Sequence, residues 1–146
     1  MVQSVDVLLS KSKSELVRII LEKEDIQIPV SIFVNNSPLE SLVKYLKDNR
    51  SMSIKDISFR LNRSLTTIWT TYYNAKEINI KTDSKIRIPL SILAKNKHST
   101  LECITQYLKH YKGMRLFEIA ILLKRDPRTI WTCYNRFMIK EGKNEK

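Results

Sequence analysis

Apolar residues along this chain recur every three or four positions in short runs separated by polar breaks, the spacing of amphipathic helices. Leu39, Leu42, Val43 and Leu46 form one stripe, Ile54, Ile57 and Leu61 a second, and Ile68 with Tyr72 a third. The set returns as Leu101, Ile104 and Leu108, then Leu116, Ile119 and Leu123, then Ile130 with Tyr134. Start signals precede these stripes. Ser37 and Ser99 are each followed three residues later by a glutamate, Glu40 or Glu102, which reads as a capping box. Pro38 suits a first helical position. The second helices are expected to begin near Ser53 and after Gly113. The third begin at Ser64 and Asp126, both good N-caps, with Pro127 reinforcing the second.

The recurrence is an internal duplication. Residues 26–32 (IQIPVSI) match residues 86–92 (IRIPLSI) at a shift of 60, and after a two-residue insertion near Lys97 and His98 the shift becomes 62. Ser37-Pro38-Leu39-Glu40 then faces Ser99-Thr100-Leu101-Glu102, and Thr67-Ile68-Trp69-Thr70 faces Thr129-Ile130-Trp131-Thr132. Ala120 is small where a neighbouring helix can approach, and Ser58 is its counterpart. The arms at 26–34 and 86–94 read either as extended segments or as short helices beginning at Pro29 and Pro89; the alternation of Ile26 with Ile28 and of Ile86 with Ile88 leans extended.

Only Asn62-Arg63 and Lys124-Arg125 separate the second and third helices of each copy. So short a link forces a steep crossing, the helix-turn-helix arrangement. Asn62 tolerates a left-handed backbone, Lys124 less readily. Outside the repeat, Ser12 and Glu15 suggest another capping box, and Leu16, Val17, Ile19 and Ile20 an apolar face, so a helix is expected from about Lys13 to Glu22. The expected fold is all-α: two tandem three-helix helix-turn-helix units with an extra N-terminal helix and short arms. The expected divisions are an N-terminal helical segment at 1–25, repeat 1 at 26–76, a linker at 77–85, repeat 2 at 86–140 and a basic tail at 141–146.

Composition supports helices: with Gly at 2 and Pro at 4 in 146 residues, there are few of the tight turns that sandwiches and barrels need. Charge narrows the partner. The formal net charge is +11, divided as −1 over residues 1–25, +4 over 26–85 and +8 over 86–146. A folded basic chain of this size suggests a polyanionic partner. No apolar run approaches a membrane span of roughly 20 residues, and the polar residues Ser10 to Lys13 argue against a signal peptide. A cytoplasmic, nucleoid-associated protein is therefore expected. Cys103 and Cys133 are 30 positions apart, and neither has metal-ligand spacing to His98 or His110. They read as buried thiols, and no metal or cofactor is expected.

The stretch from Leu116 to Ala120, followed by Leu122 to Ile130, resembles the helix-turn-helix of sigma-factor region 4 and related bacterial and archaeal regulators. It has Glu118-Ile119-Ala120, a Leu before the turn, an Asp cap and a Thr129-Ile130 pair. The copy at 54–76 departs from this, with Asp56-Ile57-Ser58 in place of Glu-Ile-Ala. The resemblance covers roughly residues 37–76 and 99–138, and it implies a DNA-binding fold without specifying a biological role.

In such an arrangement the third helix meets base edges in the major groove and the flanks hold phosphates. The outward positions are Ser64, Leu65, Thr66, Trp69, Thr70 and Tyr73 in copy one, and Asp126, Pro127, Arg128, Trp131, Thr132 and Asn135 in copy two. Threonine methyls suit the thymine methyl, Arg128 suits guanine, and Asn135 suits adenine. Phosphate contacts are expected from Lys55, Arg63, Lys112, Arg115, Lys124, Arg125 and Arg136. Trp69 and Trp131 lie about 100° from the inward isoleucines. They either pack at the core edge or between copies, the side slightly favoured, or contact DNA. Tyr72 and Tyr134 are expected in the core. Because the copies differ, an asymmetric rather than palindromic site is expected.

The function expected is sequence-dependent binding of double-stranded DNA, as a transcriptional regulator or nucleoid-associated protein, with copy two the stronger reader. RNA polymerase or another protein is a possible further partner, and the N-terminal helix a dimerisation element. No nucleophile–base constellation or glycine-rich phosphate loop suggests an enzyme. The competing readings are a protein-interaction adaptor, the DNA-binding part of a transposase or recombinase system and, ranked low, an RNA-binding protein.

Overall fold

The computed structural model describes residues 25–95 and 97–142. The expected N-terminal helix, its suggested dimerisation and most of the basic tail lie outside those residues. The chain is mainly helical, with one small sheet. In order come strand β1 (Gln27–Pro29), a 3-10 turn (Val30–Phe33), helix α1 (Pro38–Lys44) continued by a π-helical turn (Tyr45–Asn49), α2 (Ile54–Leu61) and α3 (Leu65–Asn74). Then come β2 (Arg87–Pro89), α4 (Leu90–Leu93), α5 (Thr100–His110), α6 (Leu116–Leu123) and α7 (Pro127–Lys140). Both arms therefore combine the two alternatives: an extended segment up to the proline, then a helical turn. The strands qualify the all-α expectation.

Local chemistry sets the helix ends. Ser53, Ser64 and Asp126 accept from backbone N–H groups at the starts of α2, α3 and α7. Ser99 and Glu102 form the complete capping box at α5. Ser37 does not: its side chain makes no cap bond, and its carbonyl instead accepts from the Ser41 hydroxyl at 2.8 Å. Pro38 has no N–H to satisfy, so this end needs less capping. Glu118 accepts from the Arg115 backbone N–H at 2.8 Å to start α6.

Two of the left-handed backbone positions repeat as well, whereas Asn35 and Gly142 have no such counterpart among the described residues. Asn62 has φ 54° and Lys124 φ 54°, while Ser51 has φ 57° and Gly113 φ 67°. In each link the arginine N–H that follows bonds back to the preceding helix, Arg63 to the Ser58 carbonyl at 3.2 Å and Arg125 to the Ala120 carbonyl at 2.9 Å. This is the Schellman ending of a helix. Lys124 thus adopts the same turn as Asn62.

The arms join the two halves. β1 and β2 pair antiparallel, with Ile28 opposite Ile88 and Gln27 opposite Pro89. Ile28 and Ile88 are equivalents under the repeat, so each meets its own counterpart. The flanking bonds are reciprocal: the Val30 N–H donates to the Ile86 carbonyl at 3.0 Å, and the Leu90 N–H to the Ile26 carbonyl at 2.8 Å. Those two bonds exchange when 60 is added to one pair of residues and subtracted from the other. The halves are therefore related by an approximate twofold axis through the ribbon. Helices α1 and α5, also equivalents, pack across the same junction.

One apolar cluster runs through both halves, from Ile28, Phe33, Leu42, Ile57 and Ile68 to Ile88, Ile104, Ile119 and Ile130. Each fully buried aliphatic side chain here contributes about 1.5–3 kcal/mol. The connection after α3 is strapped to the first half. Lys44 Nζ donates to the Lys76 and Ile78 carbonyls at 2.9 and 2.7 Å, Asn36 to the Asn79 carbonyl, and Ser31 to the Lys81 carbonyl. In the second half the same ground is covered by the longer α7, where Phe137 is buried at the position equivalent to the buried Ala75.

Candidate nucleic-acid interface

The third helix of each half buries an isoleucine, Ile68 or Ile130, with Phe137 also buried on α7, and presents an exposed face outward. On α3, Ser64, Leu65, Thr66, Trp69, Thr70 and Tyr73 are all exposed. Leu65, Trp69 and Tyr73 stand four residues apart, so they form one stripe along the helix. On and before α7, Asp126, Pro127, Arg128 and Trp131 are exposed, while Thr132 and Asn135 are half-buried. The two tryptophans resolve an open alternative: Trp69 is 57% exposed and Trp131 58%. The slightly favoured expectation, packing at the core edge or between copies, is corrected, because the ribbon and α1–α5 bring the halves together elsewhere.

The second helices add exposed apolar groups that the sequence reading missed. Phe59 is 61% exposed and its equivalent Ile121 is 67% exposed. Phe117 is also exposed, with the Arg115 guanidinium 5.9 Å from its ring centre. A helical wheel gives no sign of these, since an apolar residue outside the inward stripe reads as ordinary surface.

The Arg128 side chain is almost wholly exposed but turns back onto its own cap. Its Nε and one terminal nitrogen each lie 3.3 Å from the Asp126 carboxylate, which also accepts from its backbone N–H at 2.7 Å. The pairing with Arg128 keeps the Asp126 carboxyl below its usual range and raises the guanidinium above its own. This fork is the one with which an arginine grips a guanine edge. Copy one has Thr66 at that position.

The expected phosphate contacts divide. Lys55, Lys112, Arg115, Lys124 and Arg136 are exposed. Arg125 is not available in that way. Its guanidinium donates to the backbone carbonyls of Phe33, at 3.2 Å, and Asn36 in the first half, beside a bond from the Asn35 N–H to the Leu123 carbonyl at 3.2 Å. Burial lowers its proton affinity. Arg125 is therefore removed from the phosphate set: it ties the halves together. Arg63, its equivalent, is half-buried, donates to the Leu61 carbonyl at 3.1 Å and lines a cleft of about 250 Å³ with Ser99, Thr100 and Leu101.

Each turn lines a cleft with residues of the opposite half. Asn62 lines a cleft with Ser91, Ala94 and Lys95, and Lys124 lines one with Ser31, Val34 and Asn35. These residues are repeat equivalents, whereas Lys97 and His98 line only the first cleft and Asn36 and Lys81 only the second.

Tyr72 and Tyr134 lie at the rim rather than in the core, because each phenol reaches a polar partner. The Tyr72 hydroxyl donates to Asp48 at 2.8 Å, and Tyr134 lies 3.2 Å from the His110 ring nitrogen. His98, in the inserted segment, is buried against Phe137 with ring centres 3.9 Å apart, and its Nε2 is 2.5 Å from Glu141. It locks the end of α7 to the start of α5. Both cysteines are free, and burial pushes the Cys103 thiol up to about 11.

No protein-family model matches the chain, and searches of curated proteins and of solved structures found no match. Among the described residues no helix is long and apolar enough to cross a membrane.

Proposed function

We propose that this protein is a non-enzymatic binder of double-stranded DNA in which α2–α3 and α6–α7 act as helix-turn-helix units, with α3 and α7 entering the major groove. The observation that carries the reading is the matched exposure of Trp69 and Trp131 beside Thr70 and Thr132, each on a helix launched from a left-handed link of the same φ. Large exposed aromatics on both equivalent helices call for a partner at both. The net charge of +11 favours a polyanion. The resemblance of residues 116–130 to sigma region 4-like domains points the same way, and a role in transcription or in nucleoid organisation fits it.

Arg128 is proposed as a guanine reader, with Thr66, Thr70 and Thr132 supplying methyl contacts and Trp69, Trp131, Tyr73 and Ser64 meeting sugar or base edges. Asn135 reaches toward adenine only from a half-buried position. Lys124 and Arg136 supply phosphate contacts. A fluorescence anisotropy titration of a mixed-sequence duplex across a salt series tests the reading. Binding should fall linearly on logarithmic axes with a slope of several units. No binding to any duplex at low salt contradicts it.

One observation favours a second reading for the first unit. Its α3 carries no Lys or Arg, and Leu65, Trp69 and Tyr73 form an exposed apolar stripe. Such a face also suits a protein partner, such as RNA polymerase, with the second unit alone holding DNA.

A further inference from the structure

The two units are not arranged like beads along a string. A tandem duplication joined by a simple linker would let both copies point the same way, and such a protein would read two half-sites as a direct repeat. Here the arms fold back on each other. Ile28 pairs with its own equivalent Ile88 in antiparallel register, and the bonds Val30 N–H to Ile86 and Leu90 N–H to Ile26 exchange under the repeat. The turns before α3 and α7 each line a cleft with equivalent residues of the other unit. Arg125 adds a tie from the second turn to the Phe33 and Asn36 carbonyls. The approximate twofold is thus held at the ribbon and at α1 against α5.

A twofold operator acting on a protein surface maps one DNA half-site onto the other by rotation, so the half-sites run in opposite directions. The strand order is a property of the fold, not of the outward side chains, and it holds although those side chains differ. We infer that the DNA target is an imperfect inverted repeat, read by one chain acting as its own dimer: inverted in orientation because of the ribbon, and unequal in sequence because Thr66, Leu65 and Tyr73 stand opposite Arg128, Pro127 and Asn135. The half-site under α7 takes a guanine opposite Arg128. The half-site under α3 has no arginine to read one and is the richer in thymine, whose methyl suits Thr66 and Thr70. This inference rests on the DNA-binding reading above and sharpens its substrate class. The asymmetric, non-palindromic site expected from unequal copies gives way to an inverted one with unequal halves.

The test is a selection by the full chain from a pool of duplexes with a randomised centre. The enriched duplex is then resynthesised with one motif reversed in place, and again with one motif scrambled. The expected result is two related motifs in inverted orientation at one fixed spacing. Reversing either motif should weaken binding by about tenfold or more, as much as scrambling it, because the second unit can no longer engage. Two motifs in direct orientation, or a reversed duplex bound as tightly as the parent, overturn the inference while leaving DNA binding intact. A single enriched motif overturns it also. Retention of no duplex at low salt overturns the underlying reading itself.

Discussion

Ile28 and Ile88, 60 positions apart in the chain, face each other at the centre of the ribbon and are both fully buried. They sit in one apolar cluster that also contains Ile68 of the first unit and Ile130 of the second. The units therefore share a core and should not melt separately. Ile28→Ala, Ile88→Ala and Ile130→Ala are each expected to cost about 2–5 kcal/mol. Calorimetry should record a single transition, with calorimetric and van't Hoff enthalpies equal. Two resolved transitions in any of these variants would show that the halves are independent.

The tryptophans should behave in the opposite way. Trp69→Ala and Trp131→Ala remove side chains that are more than half exposed. Each is expected to change stability by less than about 1 kcal/mol and to weaken duplex binding by about tenfold, ~1.4 kcal/mol. Parallel melting and anisotropy measurements on each variant separate the two effects. A large fall in melting temperature with unchanged binding would return both residues to a packing role.

Two arginines of copy two should part company. Arg125→Ala loses bonds to the Phe33 and Asn36 carbonyls and should destabilise the fold by about 1–2 kcal/mol, reduced from the value for a fully buried charged bond by its partial exposure. Arg136→Ala should leave stability unchanged and lower the salt slope of DNA binding by about 1. Denaturant melts and salt titrations of both variants check this, and a lowered salt slope with unchanged stability for Arg125→Ala would contradict the inter-unit tie.

Asp126 competes with DNA for Arg128. Asp126→Ser keeps a capping oxygen and frees the guanidinium, so duplex binding should tighten. Arg128→Ala should relax preference at one base position by about 1–3 kcal/mol; uniform weakening would mark Arg128 as a phosphate contact instead. The pH dependence has a definite sign. Pairing with Arg128 lowers the Asp126 carboxyl in the folded state, so its contribution to stability is present above the ordinary Asp range and lost as pH falls through the folded value. In an acid melt, Asp126→Ser should show a smaller loss of stability over that window than the parent protein does.

Much of the helical framework was legible in the sequence. Serine and aspartate caps mark the starts of α2, α3, α5 and α7, and apolar residues at a spacing of three or four mark α6 as well, since both are local effects. The joining of the halves was not legible. Alternation at Ile26 and Ile28 signals an extended arm but not its partner, because pairing is a matter between distant segments. Arg125 looked like a surface cation because its acceptors are backbone carbonyls about 90 residues away, which no side-chain pattern reveals. The strap through Lys44, Asn36 and Ser31 was hidden for the same reason. The exposure of Trp69 and Trp131 depended on where the second unit docks, which the helical wheel of one unit does not contain.

A hydroxyl-radical footprint of the full chain on a selected duplex tests the central claim most directly. Two units held about a twofold should protect two patches on one face of the duplex, with centres about one helical turn, ~34 Å, or a multiple of it apart. Trp69→Ala should fade one patch and Trp131→Ala the other. A single patch, unchanged by one of these substitutions, would contradict an account in which both halves of the chain read DNA.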